Sequence, residues 1–360
     1  MGRVKRARRL LKDFELDCLL IPPSADLLYL TGIKKTQSER LFLFVVPRKG
    51  IPCFLAPTLE KDFIKSSTDS CLIFTWEDGK NPIFPLVDIL EAYGSGRGRT
   101  AVGDELWSCH QLEMTGVLRR VQFVSASPVM SRLRSVKEPA ELQLMRKAAR
   151  LTENVLASTL RVITPGMREE EIAAIILDAL GRSGLDEPWA IVASGPNSAI
   201  PHHNSGARKL RRLEPLLLDI GGTYKGYNSD ITRTYHVGPP ERKFLEIYGI
   251  VLEANRIGRA KSKPSVKAFQ IDSAVRDSID KRGFGEFFTH RTGHGIGLRG
   301  HEEPYIVNSS AERLRRGMTF SIEPGIYIPG RFGVRIEDIV ALTDKGSESL
   351  TRFSRALRIL

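Results

Sequence analysis

LLLDIGGTYKGYNSDITRT, at residues 216–234, has the pattern of a β-hairpin that carries two acids. An apolar run ends at Asp219, a glycine-rich turn follows, and Asp230 comes eleven residues later. We expect a β-hairpin with its turn centred between Tyr224 and Lys225, so that Asp219 and Asp230 lie directly opposite each other. Cross-strand neighbours have Cβ atoms roughly 5 Å apart. Two like charges at that distance are unfavourable unless a cation lies between them.

A second hairpin with the same property is predicted from FSIEPGIYIPGRFGVRIED at 320–338. Glu323 and Glu337 are fourteen residues apart, and the turn PGR centres on Gly330. This spacing again predicts two acids that lie opposite each other. If the two hairpins face one another, four carboxylates meet, and their formal charge of about −4 would balance two divalent cations.

A histidine between glycines completes the set, since His294 lies in HRTGHGIGLRGHEEP at 290–304. Taken singly, an Asp at a strand end is usually a turn former, an edge-strand Glu is usually solvated, and such a His is usually a loop residue. Their joint occurrence favours a metal site. An oxygen-rich donor set with one imidazole suits Mn, Co, Zn or Fe better than Cu. The sequence therefore predicts two divalent metal ions as cofactors, with Mn preferred, on the ligands Asp219, Asp230, His294, Glu323 and Glu337.

The domain organisation follows from length and from the order of apolar patterns. A chain of 360 residues is too long for one ordinary core. Up to about residue 125, strand-like runs (CLLIPP, RLFLFVVP, IPCFLAP) alternate with helical stretches (KDFIKSS, NPIFPLVDILEAYG). The pattern weakens over 124–139, where we expect a linker. Two long helical stretches follow, and from Trp189 the chain becomes rich in β-type and glycine residues. The predicted fold class is α/β (α+β), with domains at 1–130 and 131–360.

Charge and cysteine content indicate which partners and which cellular compartment to expect. The net charge is +12, but 54 basic residues are interleaved with 42 acids along the whole chain. Without a nucleic-acid motif, this pattern indicates a charged surface, and no nucleic acid is expected. The apolar runs are too short to cross a membrane. No apolar segment follows the basic N-terminus, and the four cysteines form no CxxC pair, so we expect a cytoplasmic protein.

The three motifs resemble those of the pita-bread metallopeptidases of family M24B, which include aminopeptidase P and prolidase. The resemblance runs over about Ser135–Thr343. The first 130 residues, including LLYLTG at 27–32, resemble the creatinase-type N-terminal domain of the same family. The resemblance implies a creatinase-like α/β domain followed by a pita-bread catalytic domain. Methionine aminopeptidases lack the first domain and creatinase lacks the ligand set, so both related branches fit less well.

The resemblance also implies a role for individual residues. Asp219 would chelate one metal, and His294 with Glu323 would complete the second. Asp230 and Glu337 would bridge both metals. His202, in AIPHHN, and His301, in GHEEP, would bind the substrate and stabilise the transition state, with Glu323 carrying the proton. Supporting roles around the ligands are expected for Arg335, His290, Thr232 and Tyr327, the last of them also in substrate binding.

The function implied is a dinuclear metal-dependent exopeptidase that hydrolyses the Xaa-Pro bond of short proline-containing peptides, in a homodimer. Both an Xaa-Pro aminopeptidase and an Xaa-Pro dipeptidase fit. Some prolidases carry an arginine just after the HExP segment that could hold the free carboxylate of proline. Tyr305 stands there in this chain, which leans toward longer substrates, although Arg299 or Arg291 could substitute. The alternatives are a hydrolase or lyase for a non-peptide substrate, and a pseudoenzyme that binds nucleic acid or protein.

Overall fold

The computed structural model describes residues 2–68 and 70–360. The chain divides into two compact units, Met1–Arg134 and Ser135–Leu360, and each has its own buried apolar core. Among the described residues, no helix combines the length and apolarity needed to cross a bilayer.

The first unit is an α/β layer structure around one six-stranded sheet. Its strand order is β4-β3-β2-β1-β5-β6, with β3–β4, β1–β5 and β5–β6 parallel and the other pairs antiparallel. The strands predicted from CLLIPP, RLFLFVVP and IPCFLAP are confirmed as β1, β2 and β3. The helices are α1 Gly2–Asp13, α2 Ala25–Thr31, α3 Lys61–Ser67, α4 Ile83–Ala92, α5 Ser108–Val117 and α6 Ser127–Arg134, and the strands are β1 Cys18–Ile21, β2 Leu43–Pro47, β3 Cys53–Pro57, β4 Leu72–Trp76, β5 Arg99–Val102 and β6 Gln122–Ser125.

The prediction of a linker over 124–139 is wrong for most of that segment. Residues 122–125 form β6 at the sheet edge, and α6 follows almost at once. Val129, Met130 and Leu133 are buried on one side of α6. Their spacing is the i, i+1, i+4 pattern of a helix face, which the surrounding serines and arginines obscure in the sequence. The first unit therefore extends through Arg134.

The second unit repeats a plan of two helices followed by antiparallel strands. Strands β7, β8 and β9 form one sheet, while β11-β10-β12-β15-β16 form another, and β13 and β14 make a separate ribbon. The helices are α7 Pro139–Thr159, α8 Glu169–Arg182, α9 Arg242–Lys261 and α10 Ala268–Asp280, and the strands are β7 Asp186–Ser194, β8 Glu214–Tyr224, β9 Tyr227–Val237, β10 Gly293–Gly295, β11 Glu302–Ile306, β12 Thr319–Ile322, β13 Gly325–Ile328, β14 Phe332–Arg335, β15 Asp338–Thr343 and β16 Gly346–Ser349.

Alternation along β8 and β9 decides which face of their sheet carries the acids. Leu216, Leu218 and Ile220 of β8 belong to the apolar core that includes residues of α7 and α8. Side chains alternate between the two faces of a strand. Asp219 therefore points to the opposite face of the sheet, and the same reasoning places Asp230 there, because its neighbour Ile231 is in the core.

Candidate metal centre

The first hairpin is confirmed, but the centre of its turn lies one residue further along the chain than predicted, which shifts the pairing of the strands by two residues. Lys225 and Gly226 form a two-residue turn with φ values of 50° and 82°, and β8 pairs with β9 from Tyr224 opposite Tyr227 outward. Asp219 consequently lies opposite Thr232. Asp230 lies opposite Gly221, so the two acids are diagonal neighbours on the same face and not directly paired.

The second hairpin has the predicted turn, and the chain breaks its ladder at the two acids. Gly330 has a φ of 71°, and the paired strands run outward from it as β13–β14 and then β12–β15 in one register. Glu323 and Glu337 lie in the gap between these two paired stretches. The backbone N–H of Glu323 donates to Thr292 O at 2.9 Å, and that of Glu337 donates to Thr232 O at 3.1 Å. The backbone of Glu323 is thus hydrogen-bonded to the motif that contains His294, and the backbone of Glu337 is hydrogen-bonded to the first hairpin.

Asn255 on α9 holds the gap open from behind, and its sequence context gave no sign of this role. Its side-chain Nδ2 donates to Ile322 O at 3.0 Å and to Ile336 O at 3.1 Å. These two carbonyls belong to the residues immediately before Glu323 and Glu337. Asn255 is fully buried. It therefore replaces the missing cross-strand bonds and fixes the backbone that presents both carboxylates.

His294 on β10 is held as a neutral imidazole. Its Nδ1 lies 3.0 Å from Gly295 O, so that nitrogen carries the proton and Nε2 keeps its lone pair. Burial, and then the charge of nearby His301, lower the pKa of His294 to about 3. Nε2 lies 3.4 Å from Glu323 Oε1 and 3.8 Å from Asp230 Oδ2. A Cβ at Gly293 would collide with the carbonyl of Ser321, which is why a glycine precedes this histidine.

The carboxylates form a buried cluster whose oxygens are only partly satisfied. Ligand atoms of Asp230, His294 and Glu337 all lie within 4.8 Å of one another. Among the described residues, Asp219 Oδ1, Asp230 Oδ1 and Glu337 Oε1 are buried and accept no hydrogen bond. An uncompensated buried carboxylate is costly. The donor set therefore fits divalent cations, which would satisfy these oxygens and offset their mutual repulsion.

The same crowding shifts the acid–base behaviour of the cluster when no cation compensates it. Burial, and next the charge of Glu337, raise the pKa of Asp230 well above its ordinary value. Burial, and next the charge of Glu323, do the same for Glu337. Burial raises the pKa of Glu323 to about 7, while the positive charge of Arg335 acts in the opposite direction.

Arg335, at the end of β14, orients two of the ligand side chains through hydrogen bonds. Its guanidinium donates to Asp219 Oδ2 at 2.6 Å and to Thr232 Oγ1 at 3.0 Å. Thr232 Oγ1 in turn donates to Glu337 Oε2 at 2.7 Å. Burial alone would lower the pKa of the Arg335 guanidinium. Tyr327 and Asp219 outweigh this effect and raise the pKa. Two of the predicted ligands are thus oriented through one buried cation.

A cavity of about 520 Å³ opens onto the cluster. Its apolar wall includes Trp189, Ile191 and Ile296, and its polar wall includes Asn228 and Arg291. Of the residues predicted for the site, the cavity is lined by His202, Asp219, Asp230, His290, His294, His301, Glu323, Arg335 and Glu337.

Thr232 and Tyr327 are not among the described residues that line the cavity, and they lie behind its wall. The hydroxyl of Tyr327 accepts from Arg335 at 3.0 Å and lies 2.8 Å from His290 Nε2. His290 Nδ1 lies 2.8 Å from Arg291 O, so Nε2 accepts from the tyrosine hydroxyl. Burial lowers the pKa of His290 to about 4. These side chains connect to the ligands through Arg335.

A buried acid on α8 positions the loop that carries His202. Glu169 accepts hydrogen bonds from the Ser194 backbone and hydroxyl at 2.7 Å and from Asn197 at 3.1 Å. His203 Nε2 lies 2.7 Å from its other oxygen. This role cannot be predicted from the sequence, because Glu169 stands in a run of three glutamates that is typical of the solvated first turn of a helix.

Comparisons with known proteins agree with this geometry. Residues 143–344 match the family model described as metallopeptidase family M24, and residues 3–136 match the creatinase/prolidase N-terminal domain. The chain belongs to metallopeptidase family M24. The predicted fold class, with its creatinase-like first domain and pita-bread second domain, is thereby confirmed, as is the prediction of a metallopeptidase. Membership in M24 implies bound divalent metal ions.

Several M24 relatives extend along nearly the whole chain. A Mycobacterium tuberculosis protein named "Probable dipeptidase PepE" is 41% identical over 97% of this chain and 93% of its own length. The crystal structure of a prolidase from Thermococcus sibiricus has a TM-score of 0.94 at 35% identity, covering 99% of this chain and 98% of that one. An X-Pro aminopeptidase from Thermotoga maritima has a TM-score of 0.85 at 28% identity, covering 99% and 100% of the two chains.

Proposed function

We propose that this M24 metallopeptidase is an Xaa-Pro dipeptidase, which hydrolyses the bond before proline in dipeptides. The observation that carries the proposal is the cluster of buried carboxylates and a neutral imidazole at the base of a cavity sized for a small peptide. The relatives named as dipeptidase and prolidase support the dipeptide substrate, since their identity is higher than that of the X-Pro aminopeptidase. The presence of Tyr305 after the HExP segment favours longer substrates, so Xaa-Pro aminopeptidase activity is the second candidate.

The proposed metal ligands are the five residues identified from the sequence. Asp219 would hold one ion, His294 and Glu323 would hold a second, and Asp230 with Glu337 would contact both. Manganese is proposed as the native ion, with Co, Zn or Fe as alternatives, since carboxylate and imidazole donors suit all four. Such ions, when bound, would polarise the scissile carbonyl and lower the pKa of a water molecule toward neutrality.

Glu323 is the proposed proton carrier of the reaction. A positioned carboxylate can move a proton as a general acid–base group. Burial raises the pKa of Glu323 to about 7 in the metal-free site. Bound cations would lower that pKa, so the ionised carboxylate would take a proton from water and return it to the leaving proline nitrogen. Ser321 Oγ donates to Glu323 Oε1 at 3.0 Å and restricts the orientation of the carboxylate.

His301 and His202 are the proposed substrate-binding histidines. Arg291 donates to His301 Nδ1 at 3.0 Å, so the ring proton of a neutral His301 resides on Nε2. That N–H is available to donate to the carbonyl oxygen of the substrate as negative charge develops on it. His202 lines the same cavity from the loop after β7 and is exposed, as expected of a residue that contacts an incoming peptide.

Other parts of the proposal concern the protein as a whole. We propose that the second unit, Ser135–Leu360, is the catalytic domain and that the first unit, Met1–Arg134, is the accessory domain, a boundary four residues later than the predicted one. We also propose that the protein is a homodimer and that it works in the cytoplasm on short proline-containing peptides. All four cysteines are free, which is compatible with a reducing compartment.

The test is the kcat/KM of Mn-loaded protein on Ala-Pro and on Ala-Pro-Ala. A preference for the dipeptide is expected, whereas a preference for the tripeptide would indicate an aminopeptidase. Asp230→Ala and Glu337→Ala should each abolish hydrolysis and reduce the metal content measured by elemental analysis. Full activity in either variant would contradict the ligand assignment. Absence of cleavage in metal-loaded wild type would point to a non-peptide substrate.

A further inference from the structure

A buried ion pair lies against the loop that carries His301. Lys137 Nζ donates to Glu302 Oε1 at 2.8 Å, and the two side chains are only 1% and 7% exposed. Glu302 is the first residue of β11 and directly follows His301, whereas Lys137 comes from the segment between α6 and α7. Neither Lys137 nor Glu302 is among the described residues that line the cavity. Any effect of the pair on the reaction is therefore transmitted through neighbouring groups.

Lys137 is anchored to the sheet that carries two of the proposed metal ligands. Its N–H donates to Gly317 O at 2.8 Å, two residues before β12. Strand β12 pairs with β10 and ends one residue before Glu323. Since β10 carries His294, the ammonium group of Lys137 extends from the backbone framework that holds both ligands.

Glu302 uses its second oxygen to hold the loop at residues 296–301. Its Oε2 accepts from the N–H of Arg299 at 3.3 Å, while the N–H of Gly297 donates to Arg299 O at 3.0 Å. A Cβ at Gly297 would lie 2.5 Å from Glu302 Oε1 and 2.8 Å from Lys137 Cε. A glycine is therefore needed for the loop to pass this close to the ion pair, and the course of the loop depends on the pair.

Few other contacts hold the side chain of His301. It is exposed, and among the described residues its only side-chain hydrogen bond is to Arg291, at 3.0 Å. The centroid of its ring lies 3.8 Å from that of His294. An exposed hydrogen bond restricts a side chain weakly, because water competes for both partners. The backbone at His301 is consequently fixed mainly through Glu302, the residue that follows it.

Stability alone does not account for a buried ion pair at this place. The cost of removing two charges from water is offset only when their geometry is good, and an apolar pair of similar volume often stabilises a protein equally well or better. Apolar side chains, however, form no directional bonds. The carboxylate of Glu302 binds an ammonium group with one oxygen and a loop N–H with the other, which fixes the orientation of residue 302 relative to the sheet.

We propose that the Lys137–Glu302 ion pair positions His301 for catalysis. The inference rests on the proposed function, in which His301 donates to the substrate carbonyl as negative charge develops on it. Misplacement of such a group by about 1 Å can lower a rate by about 100-fold. Lys137 and Glu302 are positioning residues, because they act through His301 and not on the reacting atoms.

The experiment separates positioning from stability with Lys137→Met, Glu302→Met and the double variant. Thermal midpoints, and kcat and KM on Ala-Pro, are measured for the Mn-loaded protein. Each single variant leaves one buried charge uncompensated and should lower the thermal midpoint by roughly 6–20 °C. The double variant should recover most of the thermal midpoint, since both charges are gone. Its kcat should nevertheless stay roughly 10- to 100-fold below that of wild type, with little change in KM.

Two further sets of variants complete the test. Arg146→Met/Glu348→Met is the matched control, because it removes an ion pair of 2.8 Å between α7 and β16 whose residues are not among those described as lining the cavity. This control should leave kcat unchanged. Glu302→Gln keeps the shape of the side chain and one acceptor, so it should fold even if the methionine variants do not, and its kcat should fall in the same way.

A His301→Ala background shows whether the pair acts through the imidazole. Adding Lys137→Met and Glu302→Met to His301→Ala should lower kcat further by less than about 3-fold, since the group that they position is already absent. A further loss as large as that seen in wild type would overturn the inference. Recovery of kcat together with the thermal midpoint in the Lys137→Met/Glu302→Met protein would also overturn it.

Hydrogen exchange separates this inference from the proposed function. Amide exchange at 296–301, followed by mass spectrometry, should be several-fold faster in the double variant than in wild type, while exchange in β8 and β9 should stay the same. If wild type cleaves no peptide but the loop exchanges faster in the double variant, the proposed reaction is wrong and the positioning of the loop stands. Equal exchange of the loop in the two proteins would overturn the positioning role, whatever the activity.

Discussion

Replacing Glu323 by glutamine should make the metal-free protein more stable at neutral pH, although it removes a proposed metal ligand. Burial raises the pKa of Glu323 from 4.5 to about 7. At about 1.36 kcal/mol per pH unit, this shift corresponds to an order of 3 kcal/mol. The folded state binds the proton more tightly than the unfolded state does. The free energy of unfolding therefore falls as pH rises above 4.5, and the full loss is reached above pH 7.

The assay is denaturant unfolding of chelator-treated protein at pH 4.5, 6 and 8. The free energy of unfolding of Glu323→Gln, minus that of wild type, should grow by about 3 kcal/mol over this range, since the amide does not ionise. Glu286→Gln is the matched control, because it makes the same substitution at an exposed carboxylate outside the site. A difference for Glu323→Gln that stays constant within about 1 kcal/mol would show that ionisation of Glu323 does not destabilise the folded protein.

With metal present the order of the two proteins should reverse. A ligand at a free concentration of about 1,000 times its dissociation constant stabilises the folded state by about 4.1 kcal/mol, which exceeds the advantage of about 3 kcal/mol that the variant has without metal. Wild type should gain this stabilisation from Mn²⁺, and Glu323→Gln should gain much less, because it lacks one proposed donor. A variant that remains the more stable protein in saturating Mn²⁺ would show that Glu323 does not contribute to metal binding.

Three further predictions concern the surroundings of the site. Chelation of metal from wild type should lower the thermal midpoint, and re-addition of Mn²⁺ should restore it, as followed by calorimetry. Asn255→Ala should destabilise the protein by about 3 kcal/mol, since two buried carbonyls lose their donor, and should also weaken Mn²⁺ binding in titration. Gly221→Ala should cost about 1–3 kcal/mol and lower kcat/KM, because its Cβ would collide with the backbone carbonyl of Ser229 and lie 2.6 Å from the ring of Trp189, a residue of the cavity wall. An unchanged thermal midpoint would contradict this prediction.

The positions of the acids in the site could be predicted from the sequence more reliably than the hydrogen bonds that hold them in place. Asp219 and Asp230 share a face because each is one residue from a core position, and that alternation can be read from LLLDIG and SDIT. The equal spacing of the two acids predicts a hairpin centre between Tyr224 and Lys225, one residue before the observed centre. A type I′ turn needs positive φ at both central positions and favours glycine at the second. Gly226 meets that need, which favours the observed Lys225–Gly226 turn.

The contacts around Asn255 and Glu169 could not be predicted in the same way. Each joins elements far apart in the chain, with Asn255 on α9 contacting residues that precede Glu323 and Glu337. No periodicity encodes such a contact, since the helix position of Asn255 fits both a buried and a solvated side chain. Glu169 is similar, because its partners lie on the strand and loop around Ser194 and His203. These residues emerge only once tertiary packing is known.

The break in the second hairpin has a local cause that links the sequence to the chemistry. Pro324 follows Glu323 and has no N–H to give to the opposite strand, so the ladder continues only through Ile336 N to Pro324 O at 3.4 Å. The bond that the proline cannot make, to Ile336 O, is replaced by Asn255 Nδ2, which donates to that carbonyl at 3.1 Å. Glu323 and Glu337 form the next pair along the ladder, and successive residues of an antiparallel pair direct their N–H groups alternately toward and away from the partner strand. The N–H groups of both acids therefore point out of the hairpin and bond to Thr292 and Thr232, so that one hairpin supplies both carboxylates while its backbone joins the other two motifs.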